Sequence, residues 1–195
     1  MSDVRVKSGL RGSGHSPVPG KLLTGTSLSY SVAELEKFER EHVVLLRRAQ
    51  PADASAVREL TRAAYAKWVP VIGREPRPMT ADYDQAVKRH LIDLYEQGGE
   101  LHALIEMIVE TGHLVIENIA VRPDQQGKGI GDRLLRHAEV VAASMNIREV
   151  QLITNVVMVS NIAFYSKRGY QEYDRRTIPP GRNAVFMQKT LPSTR

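Results

Sequence analysis

Three glycines, at positions 127, 129 and 131, lie between an apolar run and a helical pattern and could bind phosphate. Amides at the start of a helix lack partners within the helix and donate hydrogen bonds outward, and the helix dipole adds partial positive charge there. Glycine lets an anion approach the main chain closely and allows the positive φ that a tight turn can require. The sequence therefore predicts an anion site that is most constrained at Gly129 and Gly131, within the run Gln126, Gly127, Lys128, Gly129, Ile130 and Gly131.

Two other phosphate-binding motifs do not fit this loop. No Lys-Ser or Lys-Thr pair follows the glycines at the spacing of a P-loop, and the Gly-x-Gly-x-x-Gly spacing of a dinucleotide-binding turn is absent. An ordinary strand-to-helix turn that uses glycine for geometry alone is the alternative that the loop by itself leaves open.

Two blocks of sequence resemble the GCN5-related N-acetyltransferases (GNAT). The first, residues 121–139, is similar to the family's acetyl-coenzyme A motif, which is Gln or Arg, two residues, Gly, one residue, then Gly or Ala. The second, residues 152–170, looks like the family's other conserved block. Two blocks in the expected order are more specific than one loop, and the resemblance covers about residues 43 to 190.

The resemblance implies acetyl-coenzyme A as the acyl donor and no metal. In the family, the strands that correspond to residues 114–121 and 150–154 start together and then splay apart. Main-chain groups of the first strand pair with the pantetheine arm, which implies contacts at Ile119, Ala120 and Val121, and the pyrophosphate lies on the loop at 126–131. Asn161 corresponds to a position whose side-chain amide commonly contacts the cofactor, although it could instead cap or brace its own helix.

Direct transfer of an acetyl group to a primary amine is the reaction that the resemblance implies. The amine must lose a proton, since a lysine-like amine has a pKa of about 10.4. Glu117 corresponds to a position used as the base in many relatives, and a carboxylate among apolar strand residues is costly unless it has a partner or a function. Tyr165 corresponds to the tyrosine that protonates the leaving thiolate, and amides at residues 118–120 could polarise the thioester carbonyl. Alternatively, Glu117 is a hydrogen-bonded or solvent-facing strand residue, and Tyr165 only packs beside Phe164.

The acceptor pocket should draw on the less regular segment at residues 65–83. The side chains expected to contact the acceptor are Tyr65, Met79 and Tyr83, although core packing is the alternative for Tyr65. Arg74 or Arg77 could recognise a carboxylate, or both could be solvated loop charges. Residues 72–83 resemble a segment in a subgroup of bacterial acetyltransferases, and the resemblance implies no particular substrate.

Composition favours a single domain without disulfides or metal. The chain has 195 residues, of which 42% are apolar and none is cysteine, so disulfides and an acyl-cysteine intermediate are excluded. The six histidines lack metal-ligand spacing. The net charge of +5 does not predict nucleic-acid binding, because basic residues are interleaved with acidic ones and aromatic residues make up only 6%. No apolar stretch approaches the roughly 20 residues of a membrane span, so we predict no membrane contact and a cytoplasmic location.

The order of apolar patterns predicts an α/β (α+β) fold. A flexible extension is predicted at residues 1–42, with a short helix at 31–42, before a domain at 43–190 and a tail at 191–195. Three prolines between residues 69 and 79 predict a loop. The resemblance implies a mixed, mostly antiparallel central sheet with splayed middle strands, flanked by helices. Strands are predicted at 43–46, 90–95, 100–109, 114–121, 150–154, 170–176 and 185–190, and helices from 51 and over 82–89, 129–145 and 159–168.

These observations lead to one leading hypothesis and two alternatives. The leading hypothesis is an N-acetyltransferase that moves an acetyl group from acetyl-coenzyme A to a primary amine of a small molecule. Peptide or protein N-acetylation is the nearest alternative, and a non-catalytic acyl-coenzyme A binding module is the other. The terminal hairpin or the helix at 31–42 could pair subunits in a homodimer.

Overall fold

A seven-stranded sheet forms the centre of the described structure. The structure is a computed structural model that describes residues 46–179 and 181–192. The predicted helix at 31–42 and residues 43–45 of the predicted first strand lie outside the described residues. The strands are β1 (Leu46–Arg48), β2 (Leu91–Gln97), β3 (Glu100–Glu110), β4 (His113–Val121), β5 (Glu149–Asn155), β6 (Gln171–Ile178) and β7 (Arg182–Thr190).

The sheet is mixed but mostly antiparallel. Its strand order is β1-β2-β3-β4-β5-β7-β6, and only the central pair of β4 and β5 is parallel. The predicted strands agree with the observed ones to within a few residues at each end. The observed order confirms the predicted mixed, mostly antiparallel sheet.

Helices cover both faces of the sheet. Asp82 caps one of them, since its side chain accepts a hydrogen bond from the Gln85 amide at 3.2 Å. A 3-10 turn at Pro51–Asp53 leads into the first helix, as the predicted start at residue 51 requires. The helices are α1 (Ala54–Tyr65), α2 (Val69–Ile72), α3 (Tyr83–Arg89), α4 (Ile130–Ser144) and α5 (Val159–Ser166).

The predicted loop at residues 69–79 is wrong in part. It contains the short helix α2 and most of a 3-10 helix at Arg77–Thr80. Both begin with a proline in the first turn, where the missing N–H has no helical partner to lose. Gly73, with φ of +77°, ends α2 in the left-handed conformation. The prolines here start helical turns instead of preventing them.

Two apolar clusters pack on the opposite faces of the sheet. On one face, the stripe of α4 formed by Leu134, Leu135, Ala138 and Ala142 packs on alternate residues of the central strands, as its helical spacing predicts. On the other face, α1 and α3 pack on the intervening residues, including Leu104 of β3 and Ala120 of β4. The β4 strand is therefore held from both sides.

The strands β4 and β5 are paired only at their beginnings. Residues 113–116 of β4 pair with residues 149–152 of β5, and the ladder stops there. Beyond that point β4 stays paired with β3 as far as Val121, and β5 stays paired with β7 as far as Asn155. Each strand therefore follows its outer neighbour, and a gap opens in the middle of the sheet. This confirms the predicted splay.

Candidate active site

The gap between β4 and β5 opens into a cleft that encloses about 930 Å³ of empty space, including its mouth. Its walls come from β4, β5 and α5, from the loop between α2 and α3, and from the turn of the β6–β7 hairpin. The predicted site residues that line it are Tyr65, Glu117, Ile119, Asn161 and Tyr165.

Glu117 lies at a β-bulge in β4. Glu106 of β3 pairs with Asn118 and the next β3 residue, Met107, pairs with Ile116, so Glu117 is the extra residue. A bulge changes the direction of side chains locally. The Glu117 carboxylate forms an ion pair with Arg77, with Oε1 3.1 Å from Nη2, and its side chain is 19% exposed. Glu117 is therefore a largely buried, charge-compensated carboxylate on the wall of the cleft.

A second cavity adjoins the cleft, and Arg77 and Glu117 line both. It also contains Glu106 and His90, whose Oε1 and Nδ1 atoms are 2.6 Å apart. Burial raises the pKa of the Glu106 carboxyl, although His90 acts in the opposite direction. The sequence predicted neither residue for the site. A glutamate inside an otherwise apolar strand was the signal that could have identified Glu106.

Tyr165 reaches the cleft from α5. Its ring makes edge contacts with Phe164 and Tyr170, at centroid distances of 5.3 and 6.1 Å. Burial raises the pKa of the Tyr165 phenol to about 12. Among the described residues its hydroxyl has no hydrogen-bond partner, so it is able to donate to a ligand in the cleft.

The helix that carries Tyr165 is fixed to the start of α4. Arg168, just after α5, donates from Nε to Asp132 Oδ1 at 2.5 Å, and its guanidinium lies 3.7 Å over the Phe164 ring. Asp132 is in the first turn of α4, next to the glycine-rich loop. These contacts therefore fix the position of Tyr165 relative to the predicted phosphate site.

The main chain of β4 faces the cleft at alternate residues. The Arg122 amide donates to the His102 carbonyl at 2.8 Å. This hydrogen bond shows which residues of β4 direct their main-chain groups toward β3. Because alternate residues of an antiparallel pair bond to the same neighbour, the main-chain groups of Asn118 and Ala120 point to β3 and those of Ile119 point into the gap. Of the amides at residues 118–120, that of Ile119 is therefore the one directed toward the cleft.

The glycine-rich loop continues from the end of β4 beyond the residues that line the cleft. Gly127 and Gly129 both have φ of +78°, and Gly129 is the residue before the first turn of α4. Gly131 has an ordinary φ, and a Cβ there would lie 3.4 Å from the Phe164 ring. The conformational requirement for glycine therefore falls on Gly127 and Gly129. The first amides of α4, from Ile130 onward, lack partners within the helix.

Two long side chains of the loop make contacts with other residues of the chain. Gln126 donates from Nε2 to the Val121 carbonyl at 3.0 Å and accepts from Lys67 Nζ at 2.6 Å. Lys128 Nζ lies 3.0 Å from Gln125 Oε1 and remains exposed. Gln126 thus braces the loop against β4, whereas the amine of Lys128 can reach an anion by rotating.

Asn161 is in the first turn of α5 and lines the cleft. Its Nδ2 atom lies 3.6 Å from Met158 Sδ, a weak acceptor. The side chain does not cap its helix, which begins after Met158 without a side-chain cap. The amide is therefore available to a ligand.

Of the three residues predicted to contact the acceptor, only Tyr65 lines the cleft. Its hydroxyl donates to Asn118 Oδ1 at 2.9 Å. Tyr83 and Met79 are 0% and 7% exposed, and Tyr83 donates to the Pro78 carbonyl at 2.9 Å while it accepts from Asn118 at 3.1 Å. The structure therefore revises their expected role from acceptor contact to support of the wall behind Asn118.

The described residues hold neither a metal cluster nor a helix that could cross a membrane. Within 46–179 and 181–192, no three His, Asp or Glu side chains are grouped so that they could hold a metal ion. In the same part of the chain, no helix is both long enough and apolar enough to span a bilayer.

Comparison with solved structures identifies the same fold in acetyltransferases. The PaiA N-acetyltransferase from Thermoplasma acidophilum, in complex with coenzyme A, aligns with a TM-score of 0.64 at 18% identity over 75% of this chain and 98% of that one. The ribosomal-protein-S18-alanine N-acetyltransferase from Escherichia coli aligns with a TM-score of 0.59 at 21% identity over 77% and 96%. At these identities the likeness shows the fold alone.

Sequence comparison identifies the family. The uncharacterized protein YxbD of Bacillus subtilis (strain 168) is 37% identical over 67 residues, which are 34% of this chain and 42% of that protein. The match thus spans less than half the length of that curated relative. The family model of the acetyltransferase (GNAT) family matches residues 55–170, which is more than half of the chain and includes the cleft strands, the glycine-rich loop and Tyr165. The chain therefore belongs to the acetyltransferase (GNAT) family.

Proposed function

We propose that this protein is an N-acetyltransferase that moves an acetyl group from acetyl-coenzyme A directly to a primary amine of a small molecule. One observation carries the proposal: Glu117 and Tyr165 reach the same cleft, at the point where β4 and β5 separate. Family membership supports acetyl transfer from acetyl-coenzyme A at the level of the family. The relative from Thermoplasma acidophilum was solved in complex with coenzyme A, which supports the same donor here.

The donor would lie along β4. The C=O group of Ile119 and the N–H group of Val121, which alternate into the gap, would pair with the pantetheine arm as a further strand does. The unpaired amides at the start of α4 would bind the pyrophosphate, with Lys128 close by. Asn161 would contact the donor from the opposite wall. Ala120, whose main-chain groups point to β3, would act chiefly by holding the strand in place.

The proposed reaction uses one base and one acid. The amine nitrogen attacks the thioester carbonyl and forms the C–N bond while Glu117 takes the amine proton, directly or through water. The Ile119 amide stabilises the developing oxyanion. Collapse of the tetrahedral intermediate breaks the C–S bond, and Tyr165 donates its phenolic proton to the departing thiolate. Tyr165 is available as an acid because its pKa of about 12 keeps it protonated at neutral pH. The proton on Glu117 leaves through the second cavity, which holds Glu106 and His90, and the Tyr165 phenolate regains a proton from solvent water as the products leave.

Calorimetric titration with acetyl-coenzyme A tests the donor site, with Gly129→Glu as the variant and Gly112→Glu as its control. Gly112, in the turn between β3 and β4, has φ of +85°, and Gly129 has φ of +78°. An added Cβ meets nothing within 4 Å at either position, so the two variants carry similar backbone strain. Only Gly129→Glu places a carboxylate at the start of α4. We expect saturable binding by the wild type and by Gly112→Glu, and loss of binding in Gly129→Glu.

Release of coenzyme A thiol in the presence of amines then separates an enzyme from a binding module. Donor binding with no thiol release from any amine would favour the non-catalytic module. A higher rate with peptides than with free amines would favour a peptide acceptor. If the folded wild type does not bind acetyl-coenzyme A, the proposed function is wrong.

A further inference from the structure

The part of the cleft wall formed by the α2–α3 loop and the turn of the β6–β7 hairpin, here called the acceptor end, has an excess of positive charge. Three arginines and one glutamate line the cleft, namely Arg74, Arg77, Arg182 and Glu117. The Glu117 carboxylate is compensated by Arg77 at 3.1 Å. Arg74 and Arg182 therefore remain as charges that no carboxylate of the cleft wall offsets.

These two arginines differ from most others in the described chain, which have acidic partners. Arg175 and Arg176, on the hairpin strand β6, pair with Glu172 and Asp174. Arg182, where β7 begins, has a buried Nε atom with no hydrogen-bond partner among the described residues. A buried donor without a partner costs free energy, so the Arg182 side chain would be stabilised if it turned its guanidinium toward an acceptor atom of a ligand in the cleft.

Arg74 is presented by a loop that is anchored elsewhere. The neighbouring carboxylate, Glu75, is taken by Arg62 of α1, with Oε1 2.5 Å from Nη2. Arg62 also donates to the Met79 carbonyl at 3.0 Å. The loop is thereby fixed to α1, and Arg74 has no hydrogen-bond or ion-pair partner among residues 46–179 and 181–192.

The positive charge at this end is not accounted for by the phosphates of the donor. The loop at 126–131, where the pyrophosphate would bind, does not line the cleft. Arg74 and Arg182 lie instead on the α2–α3 loop and the hairpin turn, with Glu117 and Tyr165 on the cleft walls. A purely cationic amine would be repelled there, whereas a carboxylate would find two guanidinium groups suited to bidentate hydrogen bonds.

We propose that the acceptor is a primary amine that also carries a carboxylate, and that Arg74 and Arg182 bind this carboxylate while the amine lies beside Glu117. The inference rests on the proposed function and names the substrate class of the same site. It assigns a binding role to Arg182, which the sequence did not single out. It also assigns carboxylate recognition to Arg74, because Arg77 is engaged by Glu117.

Matched acceptors test the inference. The panel contains α-amino acids and unbranched ω-amino acids of increasing length, each compared with its carboxamide and with the amine that lacks the carboxyl group. Thiol release gives kcat/KM, and calorimetry on the coenzyme A-loaded protein gives affinity. We expect a carboxylate acceptor to be preferred over its carboxamide by roughly tenfold to a hundredfold, the range of charge-assisted hydrogen bonds. The chain length of the preferred acid distinguishes α-amino acids from longer amino acids.

Arginine variants test which residues cause the preference for a carboxylate acceptor. Arg74→Gln and Arg182→Gln should each reduce kcat/KM for the carboxylate roughly tenfold or more and leave the carboxamide unchanged. Arg148→Gln is the matched control, because Arg148 is exposed, lies outside the cleft and likewise has no side-chain partner in the described part of the chain. If Arg182→Gln does not fold, the inference is still tested by Arg74→Gln and by the comparison of carboxylate and carboxamide acceptors with the wild type.

Several results would overturn the inference and leave the proposed function intact. They are equal or better use of carboxamides or cationic amines, discrimination that is unchanged in both variants, and a panel in which no carboxylate binds or reacts. Failure of the proposed function is distinct, because it appears as loss of acetyl-coenzyme A binding by the wild type.

Discussion

At the scale of single residues, the cleft combines two side chains whose surroundings suit opposite proton transfers. Glu117 is paired with Arg77 and adjoins a second polar cavity, so polar groups lie next to the proposed base. Tyr165 is packed between aromatic rings and its hydroxyl has no partner among the described residues. A carboxylate beside polar groups and a protonated phenol that is free to donate suit the proposed base and acid of one reaction.

The role of Tyr165 as the acid is tested by Tyr165→Phe. The substitution keeps the ring that packs on Phe164 and Tyr170 and removes only the proton donor. We expect kcat to fall by about 10²-fold or more, with little change in the affinity for acetyl-coenzyme A measured by calorimetry. Tyr173→Phe is the control, since Tyr173 lies half-exposed on β6 and outside the cleft. Unchanged turnover in Tyr165→Phe would remove this residue from the mechanism.

The role of Glu117 as the base is tested by Glu117→Gln. Glutamine has nearly the same shape but cannot accept the amine proton, so we expect kcat/KM to fall by about 10²-fold at neutral pH. The deficit should shrink at higher pH, where more of the amine is already neutral. Glu110→Gln, at the exposed end of β3, should keep the wild-type rate. A deficit that does not change with pH would indicate a positioning role for Glu117.

At the scale of elements, the sequence predicted what depends on local patterns. The apolar stripe of α4 repeats at helical spacing and packs on the sheet as expected. The bulge at Glu117 depends on how β4 pairs with β3, so the pattern of apolar residues within β4 could not predict it. Tyr83 was expected at the acceptor because of its place in the chain. Together with Ala86 and Val87 it forms the buried side of α3, and that spacing already indicated a core residue.

Residues that meet through the topology were beyond the reach of sequence patterns. Arg182 and Arg74 come from opposite halves of the chain and share one cleft only because β7 pairs beside β5. The pairing of Arg77 with Glu117, which leaves Arg74 as the available charge, likewise depends on the path of the α2–α3 loop. The sequence could therefore predict a donor loop, but it could not predict that Arg74 and Arg182 line the same cleft.

The attachment of α4 to the edge of the sheet is tested by Asp93→Asn. The Asp93 carboxylate on β2 is 7% exposed and lies 2.6 Å from Arg48 Nε on β1 and 2.7 Å from His137 Nε2 on α4. Burial by itself raises the pKa of Asp93, but the hydrogen bonds from His137 and Arg48 outweigh burial and lower it below 3.8. We expect Asp93→Asn to reduce the free energy of unfolding in urea by about 1–3 kcal/mol at neutral pH.

The dependence of this loss on pH follows from the sign of the pKa shift. Because the pKa of Asp93 is lower in the folded protein, its stabilisation is complete above the unfolded value near 3.8 and is lost as the pH falls through the folded value. The difference between wild type and Asp93→Asn should thus shrink as the pH falls below about pH 4. Asp84→Asn, whose exposed carboxylate pairs with Arg58, should change stability by less than about 1 kcal/mol. A larger difference at low pH would contradict the assignment.

At the scale of the whole molecule, every described element that builds the cleft falls within the domain predicted at residues 43–190. The cleft-lining residues run from Tyr65 to Ala184, and the family match covers residues 55–170. Both apolar clusters are formed by residues between 46 and 191. Among the described residues, a chain that begins at residue 43 therefore retains the β1 strand, both apolar clusters and the residues proposed to bind the donor.

We predict that removal of residues 1–42 leaves the fold and the donor site in place. The shortened chain should unfold in urea with a free energy within about 1 kcal/mol of that of the full chain, because the composition of residues 1–42 predicts a flexible extension. Its calorimetric affinity for acetyl-coenzyme A should be unchanged within about threefold, since Ile119, Asn161 and the loop at 126–131 are retained. A shortened chain that folds but loses donor binding would place part of the donor site in residues 1–42. A chain that fails to fold would move the domain boundary toward the N terminus.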